Sequence, residues 1–320
     1  MKIIKLKNIL NIPILLLALF MLNKLEAQEA SPIWKVDSVD VNGTRLFVQE
    51  AGNGEAILFI HGGPGMSHDY FLPHILPLAK HYRVILYDQR GTGKSDVITV
   101  DSNSMTVNQF VLDLEAIRKH FKLKKMNVVG HSWGGFLAAS YGIKFSKHLN
   151  SLVFMDSSPL SSHLRDVMLE TNKNSMTSED KLYIRKILNS QNYKNGELSA
   201  IEKLWWATFK PSFYDPKKVY KLEFNFNSNY FFSQILLTNM YKEMQAFDLY
   251  PRLKKIKCPI LVLHGKFDPM PIEASEAIRD HNKKGKIILL EKAGHFPFVE
   301  EPQQTFDIMR DFYDSLSKKK

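Results

Sequence analysis

From Val36 the chain alternates apolar and polar positions with a period of two, and later switches repeatedly between short apolar runs and longer stretches with apolar residues every three or four places. Val39–Val41 and Arg45–Val48 flank Asn42-Gly43, the pattern of two antiparallel strands joined by a tight hairpin. Ala56–Ile60 (AILFI), Arg83–Tyr87 (RVILY), Met126–Val129, Leu149–Met155, Pro259–His264 (PILVLH) and Lys286–Leu290 (KIILL) are almost wholly apolar. Runs of that length without alternation are what a strand buried on both faces requires. Between them the spacing predicts helices over Tyr70–His81, Val107–Phe121, Trp133–Phe145, Pro271–His281 and Pro302–Leu316. Strand–helix alternation of this kind builds an α/β fold: a mostly parallel central sheet with helices on both faces.

The rhythm stops between Ser157 and Asp248. That stretch is helical or irregular and rich in aromatics, among them Trp205, Trp206, Phe209, Phe213, Tyr214, Phe224 and Tyr230. It reads as a helical cap inserted into the sheet domain, with most of the aromatics forming its own core and a few facing a ligand. The expected organisation is therefore a leader over 1–27, the first part of the core over 28–156, the cap over 157–248 and the second part of the core over 249–320.

The leader rests on charge and length. Lys2, Lys5 and Lys7 precede an apolar run from Ile9 to Leu22, and Ala27 offers a small residue before Gln28. The run is shorter than the roughly 20 residues that a spanning helix needs, so it predicts a cleaved export signal and a periplasmic or secreted protein without a stable membrane anchor. The 43 Lys and Arg against 33 Asp and Glu give a net charge of +10, partly from that leader and from Lys318–Lys320. The remainder fits a solvated basic surface; there is no basic stripe interleaved with aromatics and no nucleic-acid motif. The single cysteine, Cys258, excludes an intrachain disulfide and begins an apolar run, so it reads as a small buried hydrophobe.

The chemistry is carried by four segments. Gly130-His131-Ser132-Trp133-Gly134 fits G-x-S-x-G and lies between a predicted strand and a predicted helix. A serine on such a turn is lifted out at the C-terminal edge of the sheet, with a helix N-terminus aimed at it. A serine hydroxyl needs a base, and the base needs an orienting acid. His295 follows the strand KIILL and Asp268 follows PILVLH, which places both on loops at the same edge. Asp156, after the strand ending at Met155, is a rival acid, and His264 a rival base that ends a strand. His61-Gly62-Gly63-Pro64-Gly65 follows AILFI; the amides of Gly63 and of Trp133 are the expected donors to an oxyanion. Gly91-Thr92-Gly93-Lys94-Ser95 mimics the end of a phosphate-binding loop, but Asp88 stands where that motif needs glycine. Asp88 and Arg90 are instead expected to hydrogen-bond and charge-pair within loops near the site. No histidine pair has zinc spacing, and neither a metal nor a cofactor is implied.

HGGPG at His61–Gly65, DQRGTGKS at Asp88–Ser95 and GHSWGG at Gly130–Gly135 resemble the signatures of the proline iminopeptidase group of α/β-hydrolases, which includes the tricorn-interacting aminopeptidases. HGGPGMSHDY, through Tyr70, is similar to the tricorn-associated form. The resemblance covers residues 36–156 and 249–316 and leaves the cap weakly matched. It implies the α/β-hydrolase fold and release of an N-terminal residue, often proline, from short peptides. It also implies cap glutamates that hold the substrate's free amine, for which Glu223 and Glu243 are the best placed of Glu170, Glu179, Glu197, Glu202, Glu223 and Glu243. An esterase or lactonase with the same triad, and a non-catalytic ligand-binding protein of this fold, remain as alternatives. The partner expected is a small molecule or short peptide, not nucleic acid; oligomeric state is not legible.

Overall fold

The computed structural model describes residues 33–72, 74–96, 105–226, 230–231, 234, 237–238, 240 and 244–318. The leader and Glu243 lie outside the described residues. Strands β1 (Lys35–Val41), β2 (Thr44–Ala51), β3 (Ala56–Ile60), β4 (Arg83–Tyr87), β5 (Met126–His131), β6 (Leu149–Met155), β7 (Ile260–Gly265) and β8 (Gly285–Leu290) form one sheet in the order β1-β2-β4-β3-β5-β6-β7-β8. The hairpin β1–β2 and the pair β2–β4 are antiparallel, and every pairing from β4 to β8 is parallel.

The apolar runs are continuous because two layers claim alternate residues. Leu58, Ile60, Val128, Leu152 and Val262 pack on one face, beneath α1 (Val107–His120), α2 (Trp133–Phe145) and α6 (Ile272–Asp280). Ile57, Phe59, Val129, Val153 and Leu261 face the other way, against the 68–80 segment and α7 (Pro302–Ser317). Each fully buried Val, Leu, Ile or Phe contributes about 1.5–3 kcal/mol relative to exposure, so this two-sided sheet is the main source of stability. Cys258 is buried in the first of these layers, and burial pushes its thiol up to about 12.

The segment expected as a helix over Tyr70–His81 is two short 3₁₀ turns, His68–Phe71 and Leu76–Lys80. Its apolar spacing is real, but Pro73 and Pro77 lack the amide hydrogens that a continuous α-helix uses. Between β6 and β7 the chain leaves the sheet and forms α3 (Ser162–Ser175), α4 (Ser178–Asn189) and α5 (Leu198–Phe209), followed by short 3₁₀ turns. Among the described residues no helix is long and apolar enough to cross a membrane.

Candidate active site

Ser132 sits between the last residue of β5 and the first of α2, with φ 54° and ψ −123°. Few non-glycine residues occupy that region, and they stay there only when the surroundings over-determine it. Here the Ser132 amide donates to Met155 O at 3.1 Å, and its carbonyl accepts from the amides of Gly135 and Ser158, each at 2.9 Å. The glycines on either side let strand and helix cross at this distance. A Cβ on Gly130 would overlap the carbonyl of Gly134, and one on Gly134 would overlap the carbonyl of Ile60 at the end of β3. The hydroxyl therefore stands at the C-terminal edge of the sheet, above the positive end of α2.

Asp268 follows β7 and His295 follows β8. His295 Nδ1 lies 3.0 Å from Asp268 Oδ2, and the Met270 amide donates to Asp268 Oδ1 at 3.0 Å. Burial pushes the Asp268 carboxyl up, but the His295 ring, its hydrogen bond and the Met270 amide together hold it below the usual carboxylate range. Asp156 is also wholly buried, with φ 45°, and its Oδ1 accepts the Gly265 amide at 2.7 Å. Burial and then the charge of Asp268 push its carboxyl well above the usual range. The pair is thus driven apart: Asp268, which has the imidazole, is favoured as the carboxylate, and Asp156 as the acid. His264 places Nδ1 against Ser275 Oγ at 3.1 Å, a local hydrogen bond away from Ser132.

The His61–Gly65 loop lies against the elbow: a Cβ on Gly62 would meet Ser132 Cβ at 3.0 Å. A buried chain of hydrogen bonds joins the His61–Gly65 loop, the elbow and the His295 loop. The Gly62 amide donates to Tyr70 Oη at 2.6 Å, and Tyr70 Oη lies 2.8 Å from His131 Nδ1. His131 Nε2 reaches the carbonyl of His295 at 2.7 Å. A carbonyl only accepts, so Nε2 carries the hydrogen and Nδ1 accepts from tyrosine. Gln89 makes a second bridge, donating to His61 O at 2.7 Å and accepting from Trp133 Nε1 at 3.0 Å. Tyr70, His131 and Gln89 were visible in the motifs but not as partners, because nothing in the motifs says that those loops touch. Arg90 pairs with a helix: its guanidinium makes two 2.6 Å bonds to Asp113, on α1.

His131 and His61 carry a consequence for acid stability. Burial lowers them to about 3 and about 4, from an ordinary 6.5. As pH falls below 6.5 the unfolded chain takes up these protons first, so stability is full above 6.5 and is lost progressively towards pH 4. The expected slope is roughly 3 kcal/mol per pH unit for the two together. Urea midpoints measured between pH 7 and 4.5 check it; a flat profile contradicts the buried neutral histidines.

Ser132, Gly63, His295 and Asp268 line one cavity of about 210 Å³ between the sheet edge and the β6–β7 insertion. Its other walls are apolar or neutral: Met168, Met176, Trp205, Phe209 and Met270, with Asn172 and Thr208 among the polar groups. Phe209 stacks over His295, with ring centres 6.3 Å apart. Trp205 also packs with Phe224 and Phe226 inside the insertion, whereas Tyr214 and Tyr220 are exposed. Larger surface grooves of about 510 and 540 Å³ lie elsewhere and contain none of these catalytic-type side chains. Glu223 is exposed and is not on the cavity wall, because buried Leu222 and Phe226 and half-buried Phe224 turn it outward. The buried sets His68–Asp69–Asp88 and Asp156–His264–Asp268 have donor atoms within 4.8 Å of one another, as cation sites do. Internal hydrogen bonds engage several of these atoms, including those from His68 Nδ1 and the Lys94 amide to Asp88.

A strained serine above a helix N-terminus, an imidazole on a carboxylate and a glycine loop at one edge of a mixed sheet define a hydrolase of the α/β class. The chain belongs to the α/β-hydrolase fold family, whose model matches residues 55–302. Within that family it stands in the proline iminopeptidase group. It is 31% identical over 300 residues to a proline iminopeptidase of Heyndrickxia coagulans, covering 87% of this chain and 98% of that protein. A proline iminopeptidase of Saccharolobus solfataricus is 26% identical over 277 residues, 83% of this chain and 86% of the relative. The crystal structure of a Mycobacterium smegmatis proline iminopeptidase superposes with a TM-score of 0.65 at 19% identity, over 88% of this chain and 98% of that one. At that identity the likeness concerns the fold.

Proposed function

We propose that this protein is a serine aminopeptidase that releases N-terminal residues, proline foremost, from short peptides. Ser132 Oγ attacks the carbonyl of the first residue while His295 takes its proton through Nε2. Asp268 holds the Nδ1 hydrogen and stabilises the imidazolium. The amides of Gly63 and Trp133 receive the oxyanion. Collapse of the tetrahedral intermediate breaks the C–N bond; His295 protonates the departing amine, and the first residue stays as an ester on Ser132. Water, deprotonated by His295, then hydrolyses that ester and restores the serine.

The observation that carries this reading is the convergence of Ser132, Gly63 and the His295–Asp268 pair on one cavity, in a chain whose relatives bear the iminopeptidase name. The small cavity suits one residue at its closed end, with the β6–β7 insertion serving as the cap. The test is a substrate panel: prolyl and alanyl p-nitroanilides against p-nitrophenyl butyrate, with a fluorophosphonate as inhibitor. Prolyl amide turnover that the inhibitor abolishes is the expected result. Turnover of the ester alone makes the protein an esterase, and a folded chain that the fluorophosphonate fails to label is a binder. We propose export as well, on the strength of Lys2, Lys5, Lys7 and the apolar run to Leu22. Recovery of a mature chain beginning at Gln28 from outside the cytoplasm checks it, and a full-length cytoplasmic chain contradicts it.

A further inference from the structure

Glu300 is a buried carboxylate, 3% exposed, five residues beyond His295 and outside the catalytic set. It ends the single helical turn Pro297–Glu300. Its Oε2 accepts the amide of Gly294 at 2.7 Å and that of Tyr214 at 3.2 Å, and its Oε1 accepts the amide of Asp215 at 2.8 Å. Its backbone carbonyl takes Lys218 Nζ at 2.8 Å. One side chain therefore closes three backbone donors from two segments: the residue before His295, and the stretch of the cap that follows Ser212.

The same seam holds His295 directly. The His295 amide donates to Ser212 O at 2.7 Å. Gly294 packs so tightly that a Cβ there would overlap the Ser212 carbonyl. Phe213 stacks on Phe296 with ring centres 5.0 Å apart, and Phe209 lies over the imidazole itself. Burial pushes the Glu300 carboxyl up while the three amides pull it down. Hydrogen bonds to a carboxylate are roughly twice as strong as neutral ones. A glutamine there has one acceptor oxygen and would turn an NH₂ group towards at least one of these N–H donors.

We propose that Glu300 is a positioning residue whose carboxylate latches the His295 loop to the 212–218 segment of the cap, so that the imidazole's approach to Ser132 and the seating of the cap over the cavity are set together. This rests on reading Ser132, His295 and Asp268 as catalytic. Its test uses Glu300→Gln and Glu300→Asp in the full chain, with exposed Lys217→Met as the control that leaves the Glu300 contacts in place.

For Glu300→Gln, kcat and the rate of fluorophosphonate labelling are expected to fall together by about 10- to 100-fold, as a misplacement on the order of 1 Å does. KM is expected to change less than threefold. Glu300→Asp, which keeps the charge, falls between the parent and Glu300→Gln, and Lys217→Met stays near the parent. A folded Glu300→Gln protein with unchanged kcat and labelling rate overturns the latch. Hydrogen exchange on the unmutated chain gives an answer even where the variant fails to fold. The latch makes peptides covering 213–218 and 293–296 exchange slowly and in one opening event; independent or unprotected exchange overturns it. That readout needs no substrate, so a wrong substrate assignment and a wrong latch give different results.

Discussion

Replacing Ser132 by glycine abolishes turnover and yields a protein more stable than its parent. The first half follows from chemistry: without Oγ there is nothing for His295 to deprotonate. In serine hydrolases loss of the nucleophile costs on the order of 10⁶ in kcat. The second half follows from the backbone. Serine at φ 54°, ψ −123° carries strain of about 1–3 kcal/mol. Glycine removes most of that and returns roughly 0.5–1 kcal/mol through the freer unfolded chain. The net gain expected is about 1 kcal/mol, or several degrees in melting temperature at most. Kinetics on prolyl p-nitroanilide and a thermal melt of the two proteins measure it. Activity within tenfold of the parent removes Ser132 as nucleophile; a lower melting temperature removes the strain argument.

A single methyl group on Gly265 is expected to separate the acid from the base. Gly265 ends β7, and a Cβ there would overlap the carbonyl oxygen of Gly294 and stand 2.7 Å from that of Ala293. Those are backbone atoms of the loop that carries His295, so relief moves the imidazole. The two loops are already stitched, with the Lys266 amide on Leu290 O and the Phe267 amide on Ala293 O, each at 3.0 Å. The Gly265 amide also holds Asp156 at 2.7 Å. For Gly265→Ala, kcat/KM is expected to drop by at least about 10² from misplacement alone, and stability by roughly 1–3 kcal/mol from overpacking. Gly43→Ala is the control. At Gly43 no atom lies within 4 Å of the added Cβ, and only the positive φ of 84° opposes it, a cost of about 1 kcal/mol without effect on turnover. Near-parental activity in Gly265→Ala contradicts the rigidity claimed for this edge.

The fold class was legible in the chain because its determinants are local. A strand buried on both faces must be apolar throughout, and Ala56–Ile60 and Arg83–Tyr87 are. Helix spacing along Val107–Phe121 likewise survives as α1, with Phe110, Val111, Leu114 and Ile117 buried. The elbow was legible in part for the same reason, since Gly130 is demanded by Gly134 only four residues on, whereas Gly134 answers to the distant carbonyl of Ile60. Apolar spacing alone misled over 70–81, where prolines override periodicity.

What only the tertiary structure decided concerns groups far apart in the chain. Asp156 and Asp268 both follow strands at one edge, and nothing local ranks them. Strand order and loop path put the imidazole on Asp268 and the Gly265 amide on Asp156, and burial then pushes the second acid towards its protonated form. The Tyr70–His131–His295 chain and the Glu300 latch join residues 61 and 164 apart, or loops on different strands. Glu223 turned outward because its neighbours took the interior. Composition and spacing encode which elements form, since each element answers to its own few residues. Partners and protonation states answer to burial and distance, which exist only once the sheet has closed.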